Sequence, residues 1–301
     1  MRGSEYAELR AFAAVAQQGS FTRAATFLGV SPSALSQTIR VLEERLGARL
    51  LNRTTRSVAP SETGLRLLGR VLPALTEIEQ AVAEVVAGDG RPAGTLRINT
   101  SRLAATQVLA PLAARFLEAC PGVTLEIAVD ETLVDIVSGG FDAGVRLGEK
   151  LEKDMIAVPL GSSLRLTAVA APAYCDRFGT PETPRDLVRH RCLNTRWPTL
   201  GSLYRWEFER GGEVLDVGVT GPLITNEPEV LLRAAIDGLG IAYMFEQQVS
   251  ESIARGSLVH LLRDWSPRFP GFHLYYPSRH TSTPLRAFLD FISADARASA
   301  D

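Results

Sequence analysis

Lysine is almost missing from this chain: Lys150 and Lys153 are the only two, and arginine supplies the remaining basic charge. That bias carries no functional meaning by itself. Other shortages exclude more. Cys120, Cys175 and Cys192 are odd in number and widely spaced, which argues against a disulfide framework and for a reducing compartment. No apolar run approaches the roughly 18 residues of a membrane span. The four histidines, His190, His260, His273 and His280, lack metal-ligand spacing, so neither a metal nor another cofactor is expected. There is no Gly-x-Ser-x-Gly elbow and no phosphate-cradling loop. Gly238-Leu239-Gly240 lacks a third glycine and follows a helical pattern instead of a strand. The opening segment, with Tyr6, Leu9, Phe12 and Val15 on one helical face and Glu5 and Glu8 near its start, does not read as a leader peptide. The expected location is the cytoplasm, and no enzymatic activity is expected.

Residues 20–61 are the most informative stretch. Thr22 is placed to cap a short helix with Ala25 and Leu28 turned inward, and Gly29-Val30-Ser31 makes a tight turn. Ser31 then reads as an N-cap and Pro32 as the first helical residue, where its missing N–H costs nothing. In the helix that follows, Leu35, Ile39, Leu42 and Leu46 share one face. Ser33, Gln37 and Arg40 point the other way, and such side chains meet phosphates and base edges in a major groove. Leu50 to Val58 has the pattern of a hairpin or wing carrying Arg53 and Arg56. The expected contacts to double-stranded DNA are Arg23, Ser33, Ala34, Gln37, Arg40, Arg53 and Arg56. Gln37 and Arg40 are expected to read bases, and Arg53 and Arg56 to neutralise phosphates.

Charge is unevenly spread. Residues 20–61 hold six arginines against Glu43 and Glu44, so the rest of a chain of net charge −2 carries −6. A basic module on an acidic body suits sequence-directed DNA binding better than indiscriminate coating of nucleic acid. After Ser61, a cap, comes a long helical pattern. Leu65, Leu68, Leu72, Leu75, Ile78, Val82 and Val85 step by three or four residues, close to a coiled-coil stripe. Leu68, Leu72, Leu75 and Val82 are therefore expected to form a homodimer seam, with a bend at Pro73.

Gly88 to Gly94 reads as a hinge, after which strands and helices alternate. Strands are expected at 95–99, 123–129 and 141–147, with helices at 104–118 and 132–138 between them, a βαβαβ order that calls for a mainly parallel sheet. A second set of strands and helices begins at Leu164, includes an antiparallel pair around Gly211-Gly212, and is followed by a closing helix from Pro284.

The same residues resemble a known family. Gly19-Ser20-Phe21-Thr22-Arg23-Ala24-Ala25, Ser31-Pro32-Ser33-Ala34-Leu35-Ser36, Ile39-Arg40-Val41-Leu42-Glu43, the run Leu46 to Arg53, and Glu62-Thr63-Gly64 are similar to the N-terminal domain of LysR-type transcriptional regulators. Leu51 stands where that family usually has Phe, and Ala59-Pro60-Ser61 replaces a Leu-Thr pair. Further along, Gly94-Thr95-Leu96-Arg97-Ile98, Phe141 to Gly148, Ala171-Pro172-Ala173-Tyr174, Thr183 to Leu187 and Gly238 to Ala242 resemble the two-lobed effector domain of the same family. Phe245-Glu246 replaces the usual Leu-Pro pair at one cleft edge. The resemblance implies an N-terminal all-α winged helix-turn-helix plus a long linker helix, then a C-terminal α/β two-lobed periplasmic-binding-protein-like effector domain. The corresponding boundaries are 1–61, 62–93 and 94–301, with lobe I at 94–163 and 266–301 and lobe II at 164–265. It also implies a tetramer, two dimers joined through effector domains.

In open α/β sheets, ligands bind beyond the carboxyl ends of strands, where helix N-termini favour anions. That rule singles out Thr100, Ser101 and Arg102 after one strand and Asn226 after another, with Arg146 and Thr195-Arg196-Trp197 nearby. The expected effector is a small organic anion, most plausibly a carboxylate, between the lobes. Two alternatives come from other classes: a solute-binding module of transport, which the C-terminal two thirds also fit, and an enzyme with an appended DNA domain.

Overall fold

The computed structural model describes residues 3–53, 58–87, 91–132, 135–137, 139–148, 155–196, 201–277 and 281–298. Three helices open the chain: α1 (Gly3–Gln18), α2 (Phe21–Leu28) and α3 (Pro32–Leu46). The cap of α2 is Ser20, whose side chain accepts from the Arg23 N–H, so the expectation of Thr22 in that role is corrected. Gly29 then closes α2 at φ 68°, a left-handed conformation that suits glycine. Ser31 caps α3 and Pro32 begins it. Strands β1 (Leu51–Arg53) and β2 (Val58–Pro60) pair antiparallel as a wing. Arg56 lies outside the described residues.

Ser61 caps the long helix α4 (Glu62–Ala87), accepting from the Gly64 N–H at 3.0 Å, and the helix runs on through Pro73. Its apolar stripe divides. Leu68, Val71, Leu72 and Leu75 are buried in one cluster with Phe12, Val15, Leu35, Ile39, Leu42, Leu50 and Leu51. Leu65, Ile78 and Val82 remain exposed. The expectation that Leu68, Leu72 and Leu75 lack a partner in their own domain is therefore corrected. Helix α1 lies against α4 (Arg10 and Glu79 approach to 3.9 Å), and burial within the chain covers these leucines. Leu46 is also exposed, so the buried face of α3 ends at Leu42.

Beyond the hinge the chain builds lobe I from β3 (Ala93–Thr100), β4 (Gly122–Val129), β5 (Ala143–Leu147) and β6 (Met155–Leu160). The segment from β3 to β4 is helical throughout: α5 (Arg102–Ala104), a π turn (Ala105–Leu109) and α6 (Ala110–Ala119). Lobe II follows with β7 (Leu164–Ala170), α7 (Pro172–Phe178), β8 (Cys192–Thr195), β9 (Trp206–Arg210), β10 (Glu213–Val217), β11 (Ile224–Thr225), α8 (Pro228–Ile236), β12 (Ile241–Phe245), α9 (Glu246–Ala254), β13 (Val259–Leu261) and β14 (Arg268–Phe269). The chain returns to lobe I as β15 (Phe272–Pro277) and ends in α10 (Thr283–Ala298).

Lobe I is a five-stranded sheet of order β4-β3-β5-β15-β6, parallel through β4, β3 and β5 and antiparallel beyond. A helix expected over 132–138 is not there among the described residues. Instead Asp130 Oδ1 accepts from the Thr132 N–H at 2.8 Å and from its hydroxyl at 2.7 Å, a local turn that competes with helix formation. Lobe II has the order β11-β8-β12-β7-β13, with β14 also on β7. Because Arg268 and Phe269 pair with Arg165 and Leu164, the return to lobe I comes after Phe269 and not at 266.

Each sheet buries its own core. Phe116 packs edge-on against Phe288 at 4.9 Å in lobe I. In lobe II, Trp206 from the β9–β10 hairpin stacks on Tyr243 at 5.1 Å. The two crossover segments lie side by side: a Cβ on Gly271 would collide with the Ser162 carbonyl oxygen, so only glycine allows that approach.

Leu68→Ala is expected to destabilise the N-terminal domain by about 2–5 kcal/mol through a cavity inside one chain. Urea unfolding followed by far-UV circular dichroism would measure it. Burial also holds the His190 and His260 imidazoles below their ordinary pKa. The unfolded chain thus binds more protons than the folded one below about pH 6.5, and stability is lost as pH falls through that value. The expected midpoint for wild type drops between about pH 7.5 and 5.5, and that drop shrinks in a His190→Gln, His260→Gln double variant.

Candidate functional site: the exposed face of α3 and an interlobe cleft

Helix α3 turns one face fully into the core and the other fully out. Leu35, Ile39 and Leu42 are at most 2% exposed, whereas Ser33, Ala34, Gln37 and Arg40 are all exposed. Neither Gln37 nor Arg40 has a hydrogen-bond or ion-pair partner among the described residues. At the helix start the Ser31 hydroxyl lies 3.1 Å from that of Ser33 and accepts from the Ala34 N–H at 3.2 Å. The first turn is thereby held rigid beneath the exposed face.

The remaining cations of this domain are partly engaged. Arg45 grips the buried Glu8 through Nε at 3.1 Å and Nη2 at 2.8 Å, tying α3 to α1. Arg23 donates to the Gln18 carbonyl oxygen. Arg53 donates to Glu43 at 3.3 Å and to Ser36 at 3.4 Å, and its guanidinium lies 4.8 Å from the Phe21 ring centroid. The other oxygen of Glu43 accepts from the backbone N–H of Leu50 at 2.8 Å and Leu51 at 3.1 Å. Glu43 is thus the anchor of the wing, a role that local sequence pattern does not reveal because its partners are created by the turn after Gly47.

The second site lies between the lobes. Thr100, Ser101, Arg102 and Arg146 come together on lobe I, while Thr195, Arg196 and Asn226 gather on lobe II at the carboxyl ends of the paired strands β8 and β11. Trp197 lies outside the described residues. Not all of these groups are free to meet a ligand. Thr100 is completely buried, its hydroxyl 3.4 Å from the Val145 carbonyl oxygen. Arg146 donates to Asn99 Oδ1, to the Val145 carbonyl at 2.9 Å and to the Asp130 and Thr132 carbonyls, each at 3.1 Å. Burial pushes its pKa down. Arg146 therefore holds the 130–132 turn in place with its guanidinium already engaged. Arg196 is exposed and donates to the Gly201 carbonyl at 2.6 Å. Asn226 is exposed as well, and the N-cap position of α8 belongs to Glu227, whose N–H is held by Thr225 Oγ1 at 3.0 Å.

Acidic residues of the cleft escaped the sequence reading. Glu131 accepts from the Arg102 backbone N–H at 2.8 Å, and Glu227 lies 3.4 Å from the Arg102 guanidinium across the two lobes. A Glu-Pro pair before a helix was the one local hint of the second. Away from the cleft, burial drives the Cys192 thiol up to about 12, which keeps it protonated and unreactive. Among the described residues no group of His, Cys, Asp and Glu is arranged to hold a metal ion, and no helix is long and apolar enough to cross a membrane.

Replacing Glu43 by Gln removes the charge from three hydrogen bonds at once and is expected to loosen the wing. Amide exchange at Leu50 and Leu51 should rise by about tenfold or more, given roughly 1.5–3 kcal/mol for charge-assisted bonds. Unchanged exchange at both amides would contradict the anchoring role.

Comparison with known proteins identifies the two domains that carry these residues. A family profile described as "Bacterial regulatory helix-turn-helix protein, lysR family" matches residues 6–65, and one described as "LysR substrate binding domain" matches residues 89–297. The HTH-type transcriptional regulator PgrR of Escherichia coli (strain K12) is 42% identical over 291 residues, covering 96% of this chain and 97% of that protein. The full-length structure of AphB, a virulence activator of Vibrio cholerae, superposes with a TM-score of 0.65 at 25% identity over 96% of this chain and 98% of AphB. CrgA of Neisseria meningitidis does so with 0.58 at 31% identity over 96% and 98%. Such full-length likeness to regulators disfavours a transport module. The chain belongs to the LysR family of DNA-binding transcriptional regulators, joining a helix-turn-helix domain to a two-lobed effector-binding domain.

Proposed function

We propose that Gln37 and Arg40 of α3 read base edges in the major groove, flanked by Ser33, Ala34 and Arg23 at the backbone. The observation that carries this reading is the division of α3 into a fully buried face and an exposed polar one. Arg53, and Arg56 beyond the described residues, contribute positive charge to the wing. Since Arg53 already braces Glu43 and Phe21, its loss weakens the domain as well as its phosphate contacts.

The homodimer forms through the part of α4 that its own domain leaves uncovered, where Ile78 is 40% and Val82 59% exposed. Leu68, Leu72 and Leu75 belong to the core instead. Two helix-turn-helix units so held address half-sites about one turn of DNA, or a multiple, apart. A tetramer follows if effector domains also associate. In the cytoplasm, the cleft binds a small organic acid whose carboxylate meets Ser101 and Arg102 from lobe I and Arg196 from lobe II. Well-made charge-assisted bonds of this kind contribute about 1.5–3 kcal/mol each.

Gln37→Ala is expected to relax base preference at one position per half-site, at a cost of about 1–3 kcal/mol. A selection of binding sites from randomised DNA gives the readout, and an unchanged preference profile would refute the assignment of α3. Val82→Asp places a carboxylate in the proposed seam. Its expected effect is a halved mass in light scattering with a folded N-terminal domain, since Val82 contributes nothing to that core.

A further inference from the structure

We propose that Glu227 is the resident anion of the cleft: its carboxylate holds Arg102 across the two lobes, and an incoming carboxylate ligand must displace it to reach that guanidinium. The inference rests on reading the cleft as the effector site and adds how occupation of that site is regulated.

One residue, Arg102, is held by a carboxylate from each lobe. Glu131 of lobe I takes its backbone N–H at 2.8 Å, and Glu227 of lobe II lies 3.4 Å from its Nη2. Glu227 occupies the N-cap position of α8, yet its side chain makes no capping bond to that helix. The Glu227 N–H is already satisfied by Thr225, and Pro228 follows as the first helical residue. With the start of α8 not depending on its side chain, the carboxylate is available to reach across the cleft.

The neighbouring cations differ from Arg102 in what they hold. Arg146 spends its guanidinium on three backbone carbonyls and Asn99, and Arg196 donates to the Gly201 carbonyl. Arg102 is the cleft arginine among the described residues whose side chain holds a carboxylate, the group an organic acid brings. Exchange of one carboxylate for another is therefore chemically even, and it needs no desolvation of a new kind. The Arg102 and Glu227 side chains are 55% and 38% exposed, so the pair is weak and screened by salt. Weakness is what an exchangeable contact requires. While it is made, it joins the start of the β3–α5 segment to the start of α8. Displacement frees lobe II from Arg102 and leaves Glu227 facing a second negative charge, which moves the lobes relative to each other.

The test uses the full-length protein and Glu227→Gln, Arg102→Gln and the double variant. Without ligand, hydrogen–deuterium exchange over residues 102–106 and 226–231 is expected to rise about two- to fivefold in each single variant. The double variant should match either single one, because both remove the same contact. High salt should reproduce the rise in wild type and add little in the variants. Unchanged exchange, or effects that sum in the double variant, would overturn the bridge.

A second arm titrates benzoate, with benzamide as its uncharged control. Benzoate should bind Glu227→Gln several-fold more tightly than wild type and lose affinity in Arg102→Gln, while benzamide distinguishes none of them. Equal benzoate affinity in wild type and Glu227→Gln would overturn displacement. If millimolar benzoate binds neither protein, the anion reading of the cleft fails, and the exchange data alone decide whether Glu227 bridges the lobes.

Discussion

The close approach of Gly271 to the Ser162 carbonyl governs the effector domain. Two crossover segments must pass between the lobes, and a side chain at position 271 would force them apart. With that approach allowed, β14 can add to the lobe II sheet and β15 to the lobe I sheet within a few residues of each other. Phe245 and Phe269, with ring centroids 6.4 Å apart, pack beside the junction against the lobe I core. A pair of Phe and Glu at the end of β12 thus serves the junction: Phe245 fills it, and Glu246 meets Arg165 and Arg268, each at 3.4 Å. The cleft is the space left by this arrangement.

Arginine does two kinds of work in this chain, and partner geometry separates them. Arg45 and Arg53 bind α3 to α1 and to the wing through Glu8 and Glu43. Arg40, on the same helix, faces solvent with no partner among the described residues. The distinction matters for the local positive charge around residues 20–61. Part of that charge is neutralised within the domain, so the positive charge left unpaired is smaller than the formal count implies.

In the cleft the same separation changes the chemistry. Reading cations alone suggested an open anion site, whereas Glu131 and Glu227 stand next to Arg102, and Arg146 is committed to the 130–132 turn. Positive and negative groups there are matched, so the cleft does not present the unbalanced positive charge that its arginines alone would give. Asp130, whose carboxyl is held below its usual pKa mainly by the Thr132 backbone N–H and hydroxyl, keeps that turn closed over Arg146.

Most elements were legible in the sequence because their signals are local. Ser31-Pro32 marked the start of α3, and β7 at Leu164, the β9–β10 hairpin around Gly211-Gly212 and the closing helix near Pro284 fall where periodicity, Pro and Gly placed them. Local signals failed where a side chain offered the backbone a competing bond, as Asp130 does before 132–138, where no helix forms among the described residues. They also failed where tertiary packing decided which apolar residues are covered. Leu68 and Val82 share a stripe of one helix and read alike, but α1 reaches only the first. Gln37 and Arg40 could be placed on an outward face from helical period alone. That Arg146 is engaged, that Glu43 holds the wing and that Glu227 meets Arg102 depend on residues brought together from distant parts of the chain. Sequence determined the elements and the exposed face of α3, since those depend on neighbours within a few residues. Only tertiary structure decided which charges remain available, because a charge is spent or free according to partners that folding alone supplies.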